Sequence, residues 1–291
     1  MKSEGAQQGT SFNRHPKLDQ VVEAHARLGA LFQDFDALVL EFSSTFQHRS
    51  MTSAIGLDDL ALKPYLLTTE VQYALSSCID HLQTIRNLTA TDLIPNLAAY
   101  TLVRSALEHA SLAMWFLDPD DPQERRRRVL VQAARGAKLL CNALEDIEIS
   151  ANPTLEVKLK KINNTVVSLG LSPITNSEIQ TPGIKARVRW SGQVLQDLGV
   201  GSDGINLIST VWQSASGIAH ANSSAGLMLL NRRALEDHDE TSSTTFHIST
   251  SEVEIASLFQ LSLYFLTTVV QLAKYRQGLA SVKYPSFSKA L

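Results

Sequence analysis

Cysteine is scarce in this sequence. Cys78 and Cys141 are the two cysteines in 291 residues, and each lies in a segment whose pattern predicts a helix. Two isolated cysteines cannot form the disulfide framework that stabilises many small secreted proteins, and a buried free cysteine behaves as a small hydrophobic side chain. The scarcity is typical of a reducing compartment, so we expect a cytoplasmic protein without disulfides.

Charged residues are also few, and their signs nearly balance. They make up 19% of the chain and leave a net charge of −3 at pH 7. A protein with this balance has no overall positive field that would attract nucleic acid or an anionic membrane surface, so any phosphate binding must be local. The 44% of hydrophobic residues still provide enough apolar side chains for a large core.

Long apolar runs are missing as well. The longest one, Leu258 to Ala273, is interrupted by polar residues: Gln260, Ser262, Thr267, Thr268 and Gln271. A transmembrane helix needs about 20 predominantly apolar residues, and a secretory signal needs an apolar segment that residues 1–10 do not have. We therefore expect a core helix at 258–273 and no membrane as a partner.

Several catalytic and cofactor-binding motifs do not occur. The sequence contains no phosphate-binding loop that ends in Gly-Lys-Ser or Gly-Lys-Thr, no Gly-x-Ser-x-Gly elbow and no zinc or di-iron spacing. Gly199 to Gly204 matches the dinucleotide fingerprint, but that fingerprint requires a preceding strand, whereas the residues before Gly199 have a helical pattern. We interpret it as a loop between helices, and we expect neither a cofactor nor a metal.

The hydrophobic spacing that is present is helical along most of the chain. It predicts an all-α, single-domain bundle of about seven helices over residues 16–280, after a disordered leader at 1–15 and before a loose tail at 281–291. Two short runs, Gly226 to Leu230 and Thr244 to Ser249, flank a polar stretch and predict a small β-hairpin insertion near residues 226–249.

One predicted helix, Pro95 to Leu117, is apolar on nearly every side and is therefore expected to be buried. Arg104 and Glu108 are four residues apart and can pair on one face, whereas His109 points about 140° away from Arg104. Two interpretations stay open. The pair either fixes how helices pack or forms a pocket in which Arg104 holds an anion and Glu108 orients it.

A second set of polar residues lies on the predicted helix from Gly204 to about His220. Ser209, Gln213, Ser216 and His220 recur at spacings of four, three and four, which puts them on one face. Ser216 and His220 are one turn apart and can share a hydrogen bond. Alternatively, His220 caps the helix or binds a neighbouring carbonyl.

The run Arg125 to Arg128 could be mistaken for a nucleic-acid patch. Asp121 precedes Arg125 by four residues, and Glu124 precedes Arg128 by four, which is the favoured order for pairs on a helix surface. We interpret the run as a solvated face whose charges pair locally.

The two polar helices together resemble the HEPN-like superfamily of helical bundles. The likeness consists of an early core helix with Arg104-Ser-Ala-Leu-Glu108 and a later helix with Ser216-Gly-Ile-Ala-His220-Ala, and it covers residues 64–275. Active HEPN proteins are metal-independent ribonucleases that use an arginine and a histidine, usually composed across a dimer. Many serve in toxin–antitoxin, abortive-infection or other defence systems.

This resemblance implies roles for particular residues. His220 would be the base, Arg104 would stabilise charge, Glu108 would hold the arginine, and Ser216 would orient the histidine. The positions from 211 to 216, where the family arginine would precede His220, hold no arginine. Either Arg104 reaches His220 through space, or the chain is a degenerate member that binds RNA without cutting it.

Three hypotheses about function follow. The first is an RNA-associated, HEPN-like homodimer of a stress or defence module, with RNA and a cognate antitoxin or defence protein as partners. The second is a small-molecule enzyme or binder with a buried Arg/Glu/His pocket for an anionic ligand, and the third is a pure interaction protein. Candidate ligand-binding residues beside the four catalytic candidates are His109, Gln213 and Asn222.

Overall fold

The structure, a computed structural model, describes residues 16–47, 50–91, 93, 95–200, 206–234 and 246–286. In this part of the chain it contains eleven helices and two short strands. The helices are α1 Leu18–Gln47, α2 Ala54–Leu62, α3 Leu67–Ala90, α4 Asn96–Leu117, α5 Pro122–Glu145, α6 Leu155–Ser168, α7 Asn176–Gln180, α8 Ile184–Asp197, α9 Leu207–Ala219, α10 Ser223–Leu229 and α11 Glu252–Gln277. The strands are β1 Asn231–Ala234 and β2 Phe246–Ser249.

The all-α prediction is confirmed, but the expected number of about seven helices is too low. Three short helices of the described part have no counterpart in the predicted bundle: α2, α7 and α10. The capping groups of α2 and α7 explain why these short segments are helical. The Ser53 hydroxyl accepts from the Gly56 amide at the start of α2, and Thr175 forms a capping box with Glu178 at the start of α7.

Helix α4 lies at the centre of the bundle and packs against α3, α8, α9 and α11. Its middle and its end are buried, as the apolar sequence predicts, although Leu97 in its first turn is 52% exposed. Helix α11, which is distant from α4 in sequence, packs against it. The fully buried phenylalanines Phe35, Phe116, Phe259 and Phe265 belong to the same core. The functional candidates on α4 are therefore held by a rigid, well-packed element.

The predicted first strand at 226–230 is wrong, because residues 223–229 form α10. The Asn222 side chain accepts hydrogen bonds from the amides of Ser224 and Ala225, at 3.0 Å and 3.3 Å, and this cap starts a helix. Strand β1 follows directly and pairs with β2 in antiparallel register, with Asn231 opposite Ser249. Residues 235–245 lie outside the described part.

The C-terminal end of α4 is fixed by a guanidinium from α11. Arg276 donates to the carbonyl oxygens of Leu117 and Asp118, both at 2.8 Å, and to that of Pro119 at 2.9 Å. The last carbonyls of a helix have no partner within the helix, so a buried end requires donors from elsewhere. Arg276, which is 6% exposed, supplies them.

The arginine run of α5 is only partly the solvated face that we expected. Arg128 pairs with Glu124 at 2.7 Å, as predicted. Arg125 does not pair with Asp121, whose side chain instead caps α5 by accepting from the Gln123 amide. Arg125 is 3% exposed and donates at 2.7 Å to Asp58 of α2, which is fully buried. The run thus joins α5 to α2.

Residues 281–286 of the expected tail are held against the body of the protein. Tyr284 donates a hydrogen bond to Asp118, and Lys283 lies 3.1 Å from the same carboxylate. The expected leader at 1–15 and residues 287–291 lie outside the described residues. Among the described helices, α11 is long and apolar enough to cross a membrane, but 72% of its apolar 18-residue stretch is buried in the protein.

Both cysteines are buried and free, Cys78 in α3 and Cys141 in α5. Burial raises the pKa of the Cys78 thiol to about 12. A thiol with such a pKa carries almost no thiolate at neutral pH, so Cys78 acts as a hydrophobic core residue rather than a nucleophile.

Candidate functional site

The packing of α9 on α4 forms the candidate site. The side of α9 that faces the core carries Ile208, Trp212, Ala215 and Ile218, all buried. These residues follow helical spacing, so they form one apolar stripe and fix the rotation of α9. That rotation brings the end of α9 beside Arg104, which projects from the middle of α4.

Arg104 and His220 meet across this interface although they are 116 positions apart in sequence. The distance from Arg104 Nη1 to His220 Nε2 is 3.3 Å. A guanidinium has only N–H donors, so His220 Nε2 must be the acceptor in this contact, with the ring proton on Nδ1. At 3.3 Å the bond is longer than most N–H hydrogen bonds, and a stronger acceptor could replace the imidazole.

Glu108 fixes the position of the Arg104 side chain. Its Oε1 accepts from Arg104 Nε at 2.9 Å and from the indole nitrogen of Trp212 at 2.8 Å. The Arg104 guanidinium also lies 5.9 Å from the centre of the Trp212 ring, within cation–π distance. One carboxylate oxygen therefore ties the arginine of α4 to the tryptophan of α9.

This arrangement is more open than the buried pocket that we expected. The Arg104 and Glu108 side chains are 24% and 21% exposed to solvent, and His220 is exposed. The reason is the position of His220 at the last turn of α9, where the helix emerges from the core. A large ligand could reach both the guanidinium and the imidazole from solvent.

A left-handed residue ends α9 immediately after His220. Ala221 has φ of 55°, and the Asn222 amide donates to the Gly217 carbonyl at 2.9 Å. These are the features of a Schellman motif, in which glycine is the usual residue at the left-handed position. Alanine there carries backbone strain of about 1–2 kcal/mol.

Ser216 does not orient His220 in the way that we expected. Its hydroxyl is buried and has no hydrogen-bond partner in the described part of the chain. The two residues are joined only through the backbone, where the His220 amide donates to the Ser216 carbonyl at 3.0 Å. The predicted side-chain hydrogen bond between them is therefore wrong.

The three candidate ligand-binding residues do not join the Arg104–His220 pair. His109 points away, as the helical geometry requires, and its Nδ1 lies 2.7 Å from the Ser105 carbonyl oxygen. Gln213 donates to the Ser209 hydroxyl at 3.1 Å, and Asn222 serves as the cap of α10. Each has a structural role of its own.

His109 instead lies beside a histidine of α3. The rings of His81 and His109 are 5.5 Å apart, centre to centre. Burial lowers the pKa of His81, the charge of His109 lowers it further, and Asp80 opposes the shift. This pair joins α3 and α4 and takes no part in the candidate site.

Sequence reasoning missed Trp212, which is the residue that connects the two helices of the site. A signal was available, since Trp212, Ser216 and His220 recur every four residues and so lie on one stripe of α9. An indole nitrogen needs an acceptor when it is buried, and a carboxylate on a neighbouring helix is a natural one.

The chemistry that the site can support follows from these groups. A fixed guanidinium can bind an oxyanion, and an imidazole with a lone pair directed into the same space can take up a proton. Among the described residues, no group of three or more His, Cys, Asp or Glu side chains could hold a metal ion.

No protein-family model matches the chain, no curated protein matches it, and no solved structure matches it.

Proposed function

We propose that this protein is a HEPN-like ribonuclease that cleaves RNA without a metal ion. The observation that carries the proposal is the distance of 3.3 Å between Arg104 Nη1 and His220 Nε2 on an exposed helix end. The resemblance requires an arginine close to the histidine, and α9 offers none in the positions before His220. The contact supports the view that α4 supplies this arginine.

In the proposed reaction, His220 Nε2 removes the proton from a ribose 2′-hydroxyl. The 2′-oxygen then attacks the adjacent phosphorus, and the 5′-oxygen of the next nucleotide leaves with a proton from water. The products are a 2′,3′-cyclic phosphate and a 5′-hydroxyl. Arg104 donates to the phosphoryl oxygens, where negative charge increases in the transition state.

Because the Arg104–His220 contact is long, phosphate binding to Arg104 can break it before His220 takes up a proton. A phosphate is a stronger acceptor for a guanidinium than a neutral imidazole. When the RNA phosphate binds Arg104, it therefore takes Nη1 away from His220 and leaves the Nε2 lone pair free for the 2′-hydroxyl. Glu108 does not move, because Trp212 holds it independently of Arg104.

The test is cleavage of a single-stranded RNA by the purified full chain in the presence of EDTA. His220→Gln and Arg104→Gln remove the proposed base and the proposed cation and keep polar side chains of similar length. Removal of a general base typically slows a reaction by about 100- to 10,000-fold. Matched controls are His25→Gln and Arg86→Gln, whose side chains pair with Glu252 and Asp36 away from the site.

The proposal predicts cleavage that resists EDTA, products with 2′,3′-cyclic phosphate ends, near-complete loss in the two site variants and full activity in the two controls. Cleavage that vanishes with EDTA, or that both site variants retain, would overturn it. RNA binding without any cleavage would support the degenerate alternative.

The resemblance also carries a homodimer, a role in a stress or defence module and a cognate antitoxin or defence partner as proposals. Light scattering of the purified chain tests the first of these, since a dimer has twice the mass of 31.9 kDa. A monomer at working concentration would contradict it.

A further inference from the structure

A cavity of about 460 Å³ lies between α5, the end of α7 with the segment that follows it, and the first turn of α8. Its charged lining consists of Arg135, Lys138 and Arg187, and no aspartate or glutamate is among the described residues that line it. Its apolar wall is formed by Leu139, Ile179, Pro182 and Ile184. Cavities that bind small molecules usually have this size and this combination of apolar wall and few polar groups.

The guanidinium groups of this cavity have donors to spare. Arg187 Nε and Nη1 are buried and have no hydrogen-bond partner in the described part of the chain, and the same holds for Arg135 Nη1. A buried donor without an acceptor destabilises a protein by about 1–3 kcal/mol, and by more when the donor is charged. Three such atoms belong to residues that line one cavity, so an acceptor bound there would complete their hydrogen bonding.

Two hydrogen bonds fix the orientation of the Arg135 guanidinium. Its Nε donates to the Ile179 carbonyl at 2.6 Å, and its Nη2 donates to the Glu178 carbonyl at 3.1 Å. Both acceptors are neutral backbone groups, so they fix the orientation of the guanidinium without balancing its charge. Only Nη1 is left for a ligand.

The arginines of the cavity differ from the neighbouring arginines of α5 in how their charge is balanced. The neighbouring arginines of α5 are neutralised, since Arg127 pairs with Glu178 at 2.6 Å and Arg128 with Glu124 at 2.7 Å. Arg135 and Arg187 form no ion pair with a carboxylate in the described part of the chain. Burial and the neighbouring charge of Arg135 lower the pKa of Arg187 to about 10, so Arg187 still carries its charge at neutral pH.

The indole of Trp115 lies against the guanidinium groups of both arginines. The guanidinium carbons of Arg135 and Arg187 each lie 5.6 Å from the centre of the Trp115 ring. Cation–π attraction offsets part of the repulsion between them. A second cavity of about 260 Å³ continues beyond Pro182 and Arg187, where Trp115 and Trp190 form its wall.

We propose that this cavity binds a small phosphorylated organic molecule, with the phosphate on Arg135, Lys138 and Arg187 and the organic part against Leu139, Pro182 and Ile184. A phosphate monoester fits better than a carboxylate for two reasons. It carries a charge of about −1.5 to −2 at pH 7, which suits three cations, and its three acceptor oxygens suit donors that converge from two helices.

This site is separate from the proposed ribonuclease centre and does not depend on it. Arg187 is nevertheless close enough to Glu108 to interact with it electrostatically.

The experiment is isothermal titration of the full chain with 5′-AMP as the probe, together with adenosine, inorganic phosphate and a single-stranded oligoribonucleotide without a terminal phosphate. Binding of 5′-AMP should change tryptophan fluorescence, because the Trp115 ring lies against the guanidinium groups of Arg135 and Arg187. Arg187→Gln should weaken binding at least about tenfold, since a charge-assisted hydrogen bond contributes 1.5–3 kcal/mol. Lys138→Gln, a change at the cavity rim, should weaken it in the same direction.

Arg189→Gln serves as the control, because it removes an exposed charge two positions along the same helix. It should bind 5′-AMP as the unchanged protein does. Circular dichroism of Arg187→Gln checks its fold, and Lys138→Gln keeps the test decisive if that variant unfolds.

Tight binding of 5′-AMP with weak binding of adenosine supports the proposal. Equal binding of adenosine and 5′-AMP would overturn it, because the phosphate would then not be recognised. Binding of the oligoribonucleotide alone, with loss in Arg187→Gln, would overturn the small molecule in favour of an RNA backbone site. Failure of 5′-AMP and inorganic phosphate to bind at millimolar concentrations would also overturn it, whether or not the protein cleaves RNA.

Discussion

The hydrogen bond from Trp212 to Glu108 makes a quantitative prediction, because it links the two helices of the candidate site and is shorter than the Arg104–His220 contact. Trp212→Phe keeps an aromatic ring in a position that is 9% exposed and removes the N–H donor. Glu108→Met keeps the length of the side chain and removes the acceptor. The double variant completes a cycle in which the energy of this one bond can be isolated.

The expected magnitude follows from the geometry. A hydrogen bond to a charged group contributes about 1.5–3 kcal/mol, and the distance of 2.8 Å is close to the optimum. The Glu108 side chain is 21% exposed, so water competes for it and the lower end of the range applies. We expect a coupling energy of about 1.5 kcal/mol between Trp212 and Glu108.

The assay is urea unfolding of the four proteins, followed by circular dichroism because two of the variants lack Trp212. Each single variant should have a lower free energy of unfolding, and the double variant should lose less than the sum of the two. Independent sites are additive within about 0.3–0.5 kcal/mol. A coupling energy below about 0.5 kcal/mol would refute the bond and, with it, the described packing of α9 on α4.

Two further predictions concern the scaffold. Asp58→Asn leaves Arg125, which is 3% exposed, without its carboxylate and should lower the free energy of unfolding by about 3 kcal/mol or more. In the same urea titration, Asp36→Asn at a more exposed pair should lower it by under about 1 kcal/mol. Equal losses would contradict the burial of the first pair. The pKa of His81 is lowered in the folded state from its ordinary value of 6.5, so the unfolded chain binds more protons and stability should fall as pH drops below about 6.5. Thermal unfolding between pH 5 and 8 checks this, and an unchanged slope in His81→Gln would show that His81 is not responsible.

Some of the site could be predicted from sequence because the signals are local. The apolar pattern of residues 97–117 and the prolines on either side predict α4, and a spacing of four residues predicts the Arg104–Glu108 pair. The opposite direction of His109 follows from helical geometry in the same way. In each case one helix contains all the information.

The rest depends on groups that are distant in sequence. Asp121 is four residues before Arg125 and is the obvious local partner, yet the buried carboxylate that binds Arg125 is Asp58, 67 positions earlier. No pattern within α5 distinguishes the two. The contact between Arg104 and His220 depends likewise on how α9 packs. The Arg187 nitrogens that have no hydrogen-bond partner among the described residues can be recognised only from the tertiary structure.

A local signal was also overlooked. Asn222 followed by Ser223, Ser224 and Ala225 is a helix cap followed by residues that a helix accepts, and it predicts α10 better than the apolar run after it predicts a strand. Capping residues decide short elements, because a helix of seven residues has little hydrophobic pattern of its own.

The most direct test of the proposed function is the cleavage rate of the double variant Arg104→Gln/His220→Gln. If the guanidinium and the imidazole act together on one phosphate, removing both should slow cleavage no more than removing the more important one alone. Losses that multiply in the double variant, or a single variant that cleaves RNA at the rate of the unchanged protein, would contradict a joint role for the two residues.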